Sequence, residues 1–208
     1  MEMKYYDLLS TTIIGVVVVA VVNYLFLGNN NIDGVVYISL GYLVGYFINA
    51  IGSLCEEFYY CTIGGKPSDK LLVEVNNQNW TGYNRVRFYE IKKATELLKN
   101  ELGDQNASTS KMFSCAMRKV NSCKESRVPA FNAQYAWSRN ILTSVWIVEL
   151  LIGFRYYDNL LFWLISLLLL LISWNRFKER GYYYAREVLN EYMKQTSAVS
   201  NNNAIELK

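Results

Sequence analysis

The sequence predicts an all-α membrane protein: four transmembrane helices in two hairpins, a cytosolic helical insertion between them, and a cytosolic extension of the last helix. Three observations carry that expectation. Hydrophobic residues make up 52% of the 208 residues and charged residues only 19%, yet the mean hydropathy is just +0.06, so the apolar content is gathered into blocks. Four blocks are long enough to matter in a membrane, and three of them carry no charge. The lysines and arginines are concentrated in the segments between and after them.

The first block, Leu8 to Leu27, has 20 uncharged residues and one amide, Asn23. As a helix that length crosses a ~30 Å hydrocarbon core. The leader MEMKYYD carries two acids against one lysine and no Ala-x-Ala site follows, so a retained helix is expected instead of a secretory signal. The run GNNNIDG, Gly28 to Gly34, reads as a turn. A second uncharged block of 20 residues, Val35 to Leu54, completes a first hairpin over residues 1–54.

Residues 55–139 have the composition of a soluble segment and hold 13 of the 21 lysines and arginines. Within this expected cytosolic module, Val86, Tyr89, Ala94, Leu97, Leu98 and Leu102 recur near helical spacing, which predicts a helix over 83–102 stopped by Gly103. A shorter helix is expected over 109–122, where Met112, Ala116 and Val120 recur every four residues. Pro129 suits the first turn of a further helix that runs on into the membrane.

The third and fourth blocks, Ile141 to Phe154 and Leu160 to Trp174, define a second hairpin over 140–174. At 14 and 15 residues, their apolar cores reach only about 21 to 22 Å. Trp137, Tyr156 and Tyr157 are the aromatics expected at the interface, and they lengthen both helices toward the headgroups; a re-entrant hairpin is the alternative. After Trp174, Phe177, Tyr184, Val188 and Tyr192 keep helical spacing, so residues 175–194 are expected as a cytosolic helix and 195–208 as a disordered tail.

Beyond the 13 cations of the central segment, 6 follow residue 175, while Lys4 and Arg155 stand alone and the first turn has none. The positive-inside rule then places both termini and the module in the cytoplasm of a multi-pass inner-membrane protein. The sequons Asn79-Trp80-Thr81 and Asn106-Ala107-Ser108 fall on the side where they are not used. Cys55, Cys61, Cys115 and Cys123 lack CxxC spacing and face a reducing compartment, so free thiols are expected.

The chain has no histidine. Ser-His-Asp and Cys-His nucleophiles, an HExxH zinc site and a histidine-ligated haem are therefore excluded as chemistry of this chain alone. No enzyme activity, cofactor or metal site is expected, and a net charge of +3 is too small to imply direct nucleic-acid binding. The run Ile63-Gly64-Gly65-Lys66-Pro67-Ser68 lacks Walker spacing and reads as a tight turn, with Ser68 capping a helix from Asp69.

Glu149 is the ionisable group at membrane depth. A carboxylate there is costly and faces a partner or water; Asn23, Asn49 and Arg155 are the candidate companions, in a pore-lining or ion-coupled role or as structural glue. Gly41 and Gly45 form a GxxxG with Gly52 further along, a spacing that serves either an interface between copies or packing against the first span. At the cytoplasmic interface, Glu56 and Glu57 lie level with Arg176, Lys178 and Arg180, which predicts an ion-pair ring or headgroup attraction; Arg139 lies at the same level. The aromatics Tyr182 to Tyr184 and the stretch Phe131 to Asn140 are expected as interfacial anchors.

The plan of two membrane hairpins flanking a small helical module, in a His-free chain rich in Asn and Tyr, resembles small membrane effector or accessory proteins of bacterial anti-phage systems. These include proteins that accompany RNA-targeting CRISPR nucleases. The resemblance covers the overall plan and no diagnostic motif. It implies a protein that oligomerises in the inner membrane and perturbs it, or that relays a signal from a cytosolic sensor; the function expected on this basis is an oligomeric inner-membrane effector that perturbs or permeabilises the bilayer on a cytosolic signal. The alternative is a non-conducting scaffold or regulator that binds a cytosolic partner protein. Lipid and further copies of the chain are the other expected partners.

Overall fold

The computed structural model describes residues 2–28, 32–73, 86–121 and 126–206, with side chains described between Leu8 and Ser197. Among the described residues every regular element is a helix: α1 (Glu2–Phe26), α2 (Gly34–Leu54), α3 (Glu56–Thr62), α4 (Pro67–Leu72), α5 (Ile91–Leu102), α6 (Thr109–Asn121), α7 (Val128–Tyr156) and α8 (Leu160–Glu206). They divide into two units. One comprises residues 1–61 and 133–177, the other 62–132 and 178–208. The cuts fall inside α3, α7 and α8.

Among the described residues three helices are long and apolar enough to cross a membrane: Leu8–Phe26, Gly34–Leu54 and the stretch beginning at Leu160. Their surfaces suit a membrane protein, because large apolar side chains such as Val17, Phe47, Leu54, Leu164 and Leu168 are exposed, and water would not favour so wide an apolar surface on a monomer. The expected fourth span is not among the three. Its helix, α7, carries Arg139, Asn140, Thr143, Glu149 and Arg155, which lower its mean hydropathy.

In the first unit, α1 and α2 pack antiparallel through glycines. A Cβ added to Gly15 would collide with the backbone of Gly41 and Gly45, one on Gly41 would strike Val16, and one on Gly45 the carbonyl of Thr11. Of the two readings of the GxxxG, packing against the first span is therefore the one this chain uses, and α1 fills that face. Ile14, Val18 and Ile48 form the core of the contact, with Val44, Ile141, Ile147 and Val148 against it, so α7 joins the pair. Asp33 caps α2 by accepting a hydrogen bond from Val35 N at 2.9 Å, which satisfies one of the donors a helix start leaves open.

The second unit has its own core of Leu71, Val86, Leu98, Ala116, Val188 and Tyr192. Helix α5 starts at Ile91, later than the spacing suggested; Val86 and Phe88 are buried from an irregular segment. Gly103 ends it with φ +64°, the left-handed turn that glycine adopts without strain. Helix α4 starts at Pro67 with Lys66 before it, so Ser68 is inside the helix and does not cap it; proline needs no amide partner there. Ile63 to Lys66 form the expected turn, with Gly64 and Gly65 at φ +80° and +118° and Lys70 Nζ donating to Ile63 O at 2.9 Å.

Tyr182 to Tyr184, expected at the membrane interface, belong to this unit: Tyr182 is fully buried, and Tyr184 Oη donates to Met117 Sδ at 3.1 Å. Glu101 accepts from Tyr192 Oη at 2.7 Å and from Lys119 Nζ at 3.0 Å, which ties α5, α6 and α8 together. Burial raises the Glu101 carboxyl, but the two donors outweigh it and hold it below its ordinary value. The expected disordered tail also differs. Helix α8 continues to Glu206, and Thr196 and Ser197 return their hydroxyls to the carbonyls of Tyr192 and Met193 at 2.9 Å each. The first sequon and Cys123 lie outside the described residues.

The glycine contact yields a direct prediction. Gly45→Val should force α1 and α2 apart and cost about 1–3 kcal/mol, the usual penalty of overpacking. Gly34→Val, where nothing lies within 4 Å of the added carbon, should cost almost nothing. Thermal unfolding of the detergent-solubilised protein compares the two, and equal midpoints would refute the contact.

Candidate functional site

The polar residues of α7 meet the end of α2 and the start of α3. Asn49, Gly52 and Glu56 are spaced by three and four residues, which puts them on one face, and Gly52 supplies the room. A Cβ there would stand 2.9 Å from Thr143 Oγ1 and 3.4 Å from Asn140 Oδ1. Through that gap Arg139 reaches both neighbours, its Nη1 donating to Glu56 Oε2 at 2.5 Å and its Nη2 to Asn49 Oδ1 at 3.0 Å. The arginine is almost wholly buried and the glutamate three-quarters buried, with side chains 11% and 25% exposed.

The other oxygen of Glu56 is also held. Tyr60 Oη donates to Oε1 at 2.6 Å and Tyr135 Oη at 2.9 Å, and the two hydroxyls stand 2.6 Å apart. One further hydroxyl chain lies alongside. Thr143 Oγ1 gives its proton to Arg139 O at 2.9 Å, so across the 3.0 Å separation from Tyr59 Oη the tyrosine is the donor. Phe177 covers the cluster, its ring 5.5 to 6.2 Å from those of Tyr59, Tyr60 and Tyr135. Burial alone would raise the Glu56 carboxyl, but the bonds from Tyr60, Tyr135 and Arg139 reverse this and hold it below its ordinary value. Burial pushes the Tyr60 hydroxyl up, and the adjacent carboxylate pushes it further. The cluster is thus a fixed carboxylate among neutral phenols and one guanidinium.

The sequence-derived sites are placed as follows. Glu56 and Arg139 come together, and Asn49 belongs to them and not to Glu149. Glu57 and Arg176 are exposed, while Lys178 and Arg180 are half-buried in the second unit; Glu56 pairs with Arg139. Asn23 is buried on α1. Tyr59, Tyr60, Thr143 and Phe177 escaped sequence reasoning as members of a cluster. Their only trace was the recurrence of polar or aromatic residues every three or four positions beside Glu56 and Arg139.

Glu149 lies apart from this cluster, on the wall of a cavity of about 400 Å³ lined by Trp146, Leu150, Gly153, Phe154, Tyr157, Trp163 and Leu170. Its Oε1 is buried and has no hydrogen-bond partner among the described residues. Trp163 is fixed by its own bond from Nε1 to Tyr157 O at 2.9 Å, and Asn159 Oδ1 starts α8 by accepting from Leu161 N at 3.0 Å and Phe162 N at 3.3 Å. Cys55, Cys61 and Cys115 are free thiols. Among the described residues no group of three or more His, Cys, Asp or Glu is placed to hold a metal ion. No family model, curated protein or solved structure matches this chain.

Removing one partner of the ion pair should be worse than removing both charges. Arg139→Leu leaves a largely buried carboxylate, and we expect a loss of roughly 2 kcal/mol, below the full ~3–5 kcal/mol of a deeply buried pair because water still reaches Glu56. Arg139→Leu combined with Glu56→Gln should recover part of it. The Glu56 carboxyl is depressed below 4.5, so its contribution is complete above about pH 4.5 and is lost as pH falls through the lower folded value. An acid titration of unfolding that is identical in the native chain and Glu56→Gln would rule this out.

Proposed function

We propose that this chain is a four-span inner-membrane protein, with both termini inside, that holds a folded helical module at the cytoplasmic face to engage a partner protein or signal. One observation carries the reading: the two units have separate cores, one beneath an exposed apolar surface and the other beneath an exposed charged one. Arg87, Lys92, Lys93, Lys111 and Arg118 are exposed on the module, while exposed leucines crowd the helix from Leu160 to Ile172.

Helix α7 supplies the fourth span. Its 29 residues give about 43 Å of helix, and its polar groups at Arg139 and Thr143 are spent on Asn49, Glu56 and Tyr59 within the unit. A helix so placed needs less hydropathy than one that faces lipid. The same spending favours a scaffold or regulator over a conducting pore, because Arg139 and Thr143 bond groups of their own unit and the Gly41 and Gly45 face is filled by α1.

The effector reading keeps one favourable observation, the cavity at Glu149, and its anti-phage setting comes from the resemblance of plan alone. A leak assay separates the two. Liposomes carrying the purified chain should stay tight to a small dye with or without extract from infected or stressed cells, and a module-dependent partner should be recovered from the extract. A leak that needs the extract would overturn the scaffold reading. Reporter fusions after Asn30 and Asp158 should both report the outside, and a cytoplasmic signal at either one would refute the four-span topology.

A further inference from the structure

Glu149 poses a chemical problem that the described residues do not solve. An ionised carboxylate in a low-dielectric site is retained only with a counter-charge or hydrogen bonds, and Glu56 illustrates the usual solution with three donors. At Glu149 the buried Oε1 has no partner among the described residues, and Trp146, Phe154, Tyr157 and Trp163 line the same cavity. Aromatic rings attract cations. An acid among aromatic rings is a poor site for an anion or a neutral polar solute, and a good one for a positive charge wrapped in apolar groups.

We propose that the cavity beside Glu149 binds a lipophilic organic monocation, of the quaternary ammonium or phosphonium class, drawn from the bilayer. Its size fits: about 400 Å³ lies in the lower part of the ~300–1,000 Å³ range of small-ligand pockets. Its composition fits as well, because one polar group among apolar walls fixes the charge and leaves the shape loosely specified. An inorganic cation is disfavoured, since a single carboxylate does not replace a hydration shell that normally takes six or more oxygens. The amine of a lipid headgroup is disfavoured by depth. Glu149 is seven residues from Tyr156, the last residue of α7, which is about 10 Å along a helix, and the headgroup stays at the interface. Trp163 is pre-set by its bond to Tyr157 O, so that ring requires little ordering on binding.

The inference rests on the placement of α7 and α8 in the bilayer for the route of entry, but its test does not. Equilibrium dialysis of the full chain in detergent micelles against tetraphenylphosphonium, with tetraphenylborate as an anion of the same shape, reads binding whatever the topology. We expect saturable uptake of the cation at one per chain and none of the anion beyond empty micelles. Glu149→Gln should weaken the cation at least about tenfold, while Glu149→Asp, which keeps the charge, should retain most of the affinity. Both variants should elute from a sizing column as the native chain does, which separates loss of the site from loss of the fold. Equal uptake of cation and anion, or a Glu149→Gln variant that binds as well as the native chain, would overturn the proposal. So would competition by phosphatidylethanolamine but not phosphatidylcholine in nanodiscs, which would reassign the cavity to a lipid amine. Failure of the fusion experiment with success here would move the site's surroundings and leave the site itself standing.

Discussion

The polar side chains of α7 must be covered by protein, and most of the first unit is arranged around that constraint. Arg139, Asn140 and Thr143 occupy successive positions on a helix that also packs Ile141, Ile147 and Val148 against α1 and α2. Exposing a guanidinium to hydrocarbon costs several kcal/mol even by the mildest scales. Here it is placed between Asn49 and Glu56, and each element of the cover has a local cause. Gly52 lacks a side chain where Thr143 arrives, Glu56 comes one turn later on the same face, and Phe177 closes the group over the tyrosine rings. The cluster therefore fixes the rotation of α7 about its own axis, which an apolar contact alone would leave loosely specified.

The glycine contact of α1 and α2 makes a different contribution. Without a hydrophobic drive between helices in lipid, close packing and backbone approach supply the attraction, and Gly15, Gly41 and Gly45 allow it on both partners. A bulky residue at any of them meets backbone, which cannot move aside as a side-chain tip can. The same small-residue motif is thus consumed inside the chain, and a self-association model built on it loses its surface.

Helices were easier to read from the sequence than their environments. The first two blocks, the stop at Gly103 and the start near Pro129 follow from charge-free length and from single residues whose backbone preference is strong, and such signals are local. The cluster around Glu56 depends on residues 83 positions apart in sequence, Glu56 and Arg139, and nothing in a single sequence says which of several cations on the same membrane level will be the partner. Tyr182 to Tyr184 failed for a related reason. An aromatic run beside an apolar block suits the interface and a protein core equally, and only the long-range packing of Val188, Leu98 and Ala116 in one core decides for the latter. The late start of α5 has a local cause, since Val86 and Phe88 contribute to the core in an extended alternation that imitates helical spacing over a few residues.

Two partly buried carboxylates, Glu56 and Glu149, were singled out by the same reasoning and have opposite surroundings. Glu56 receives a guanidinium and two phenols, so its charge is balanced within the chain and changing it disturbs the fold. Glu149 receives none of these at its buried oxygen among the described residues and faces open space walled by aromatic rings. A group compensated internally is a structural device, because its energy is already committed in the folded state. A group left uncompensated beside a cavity keeps its interaction energy for something that arrives. Glu149, and not the more elaborate cluster at Glu56, is therefore the position in the first unit where a ligand can change the energy of the protein most.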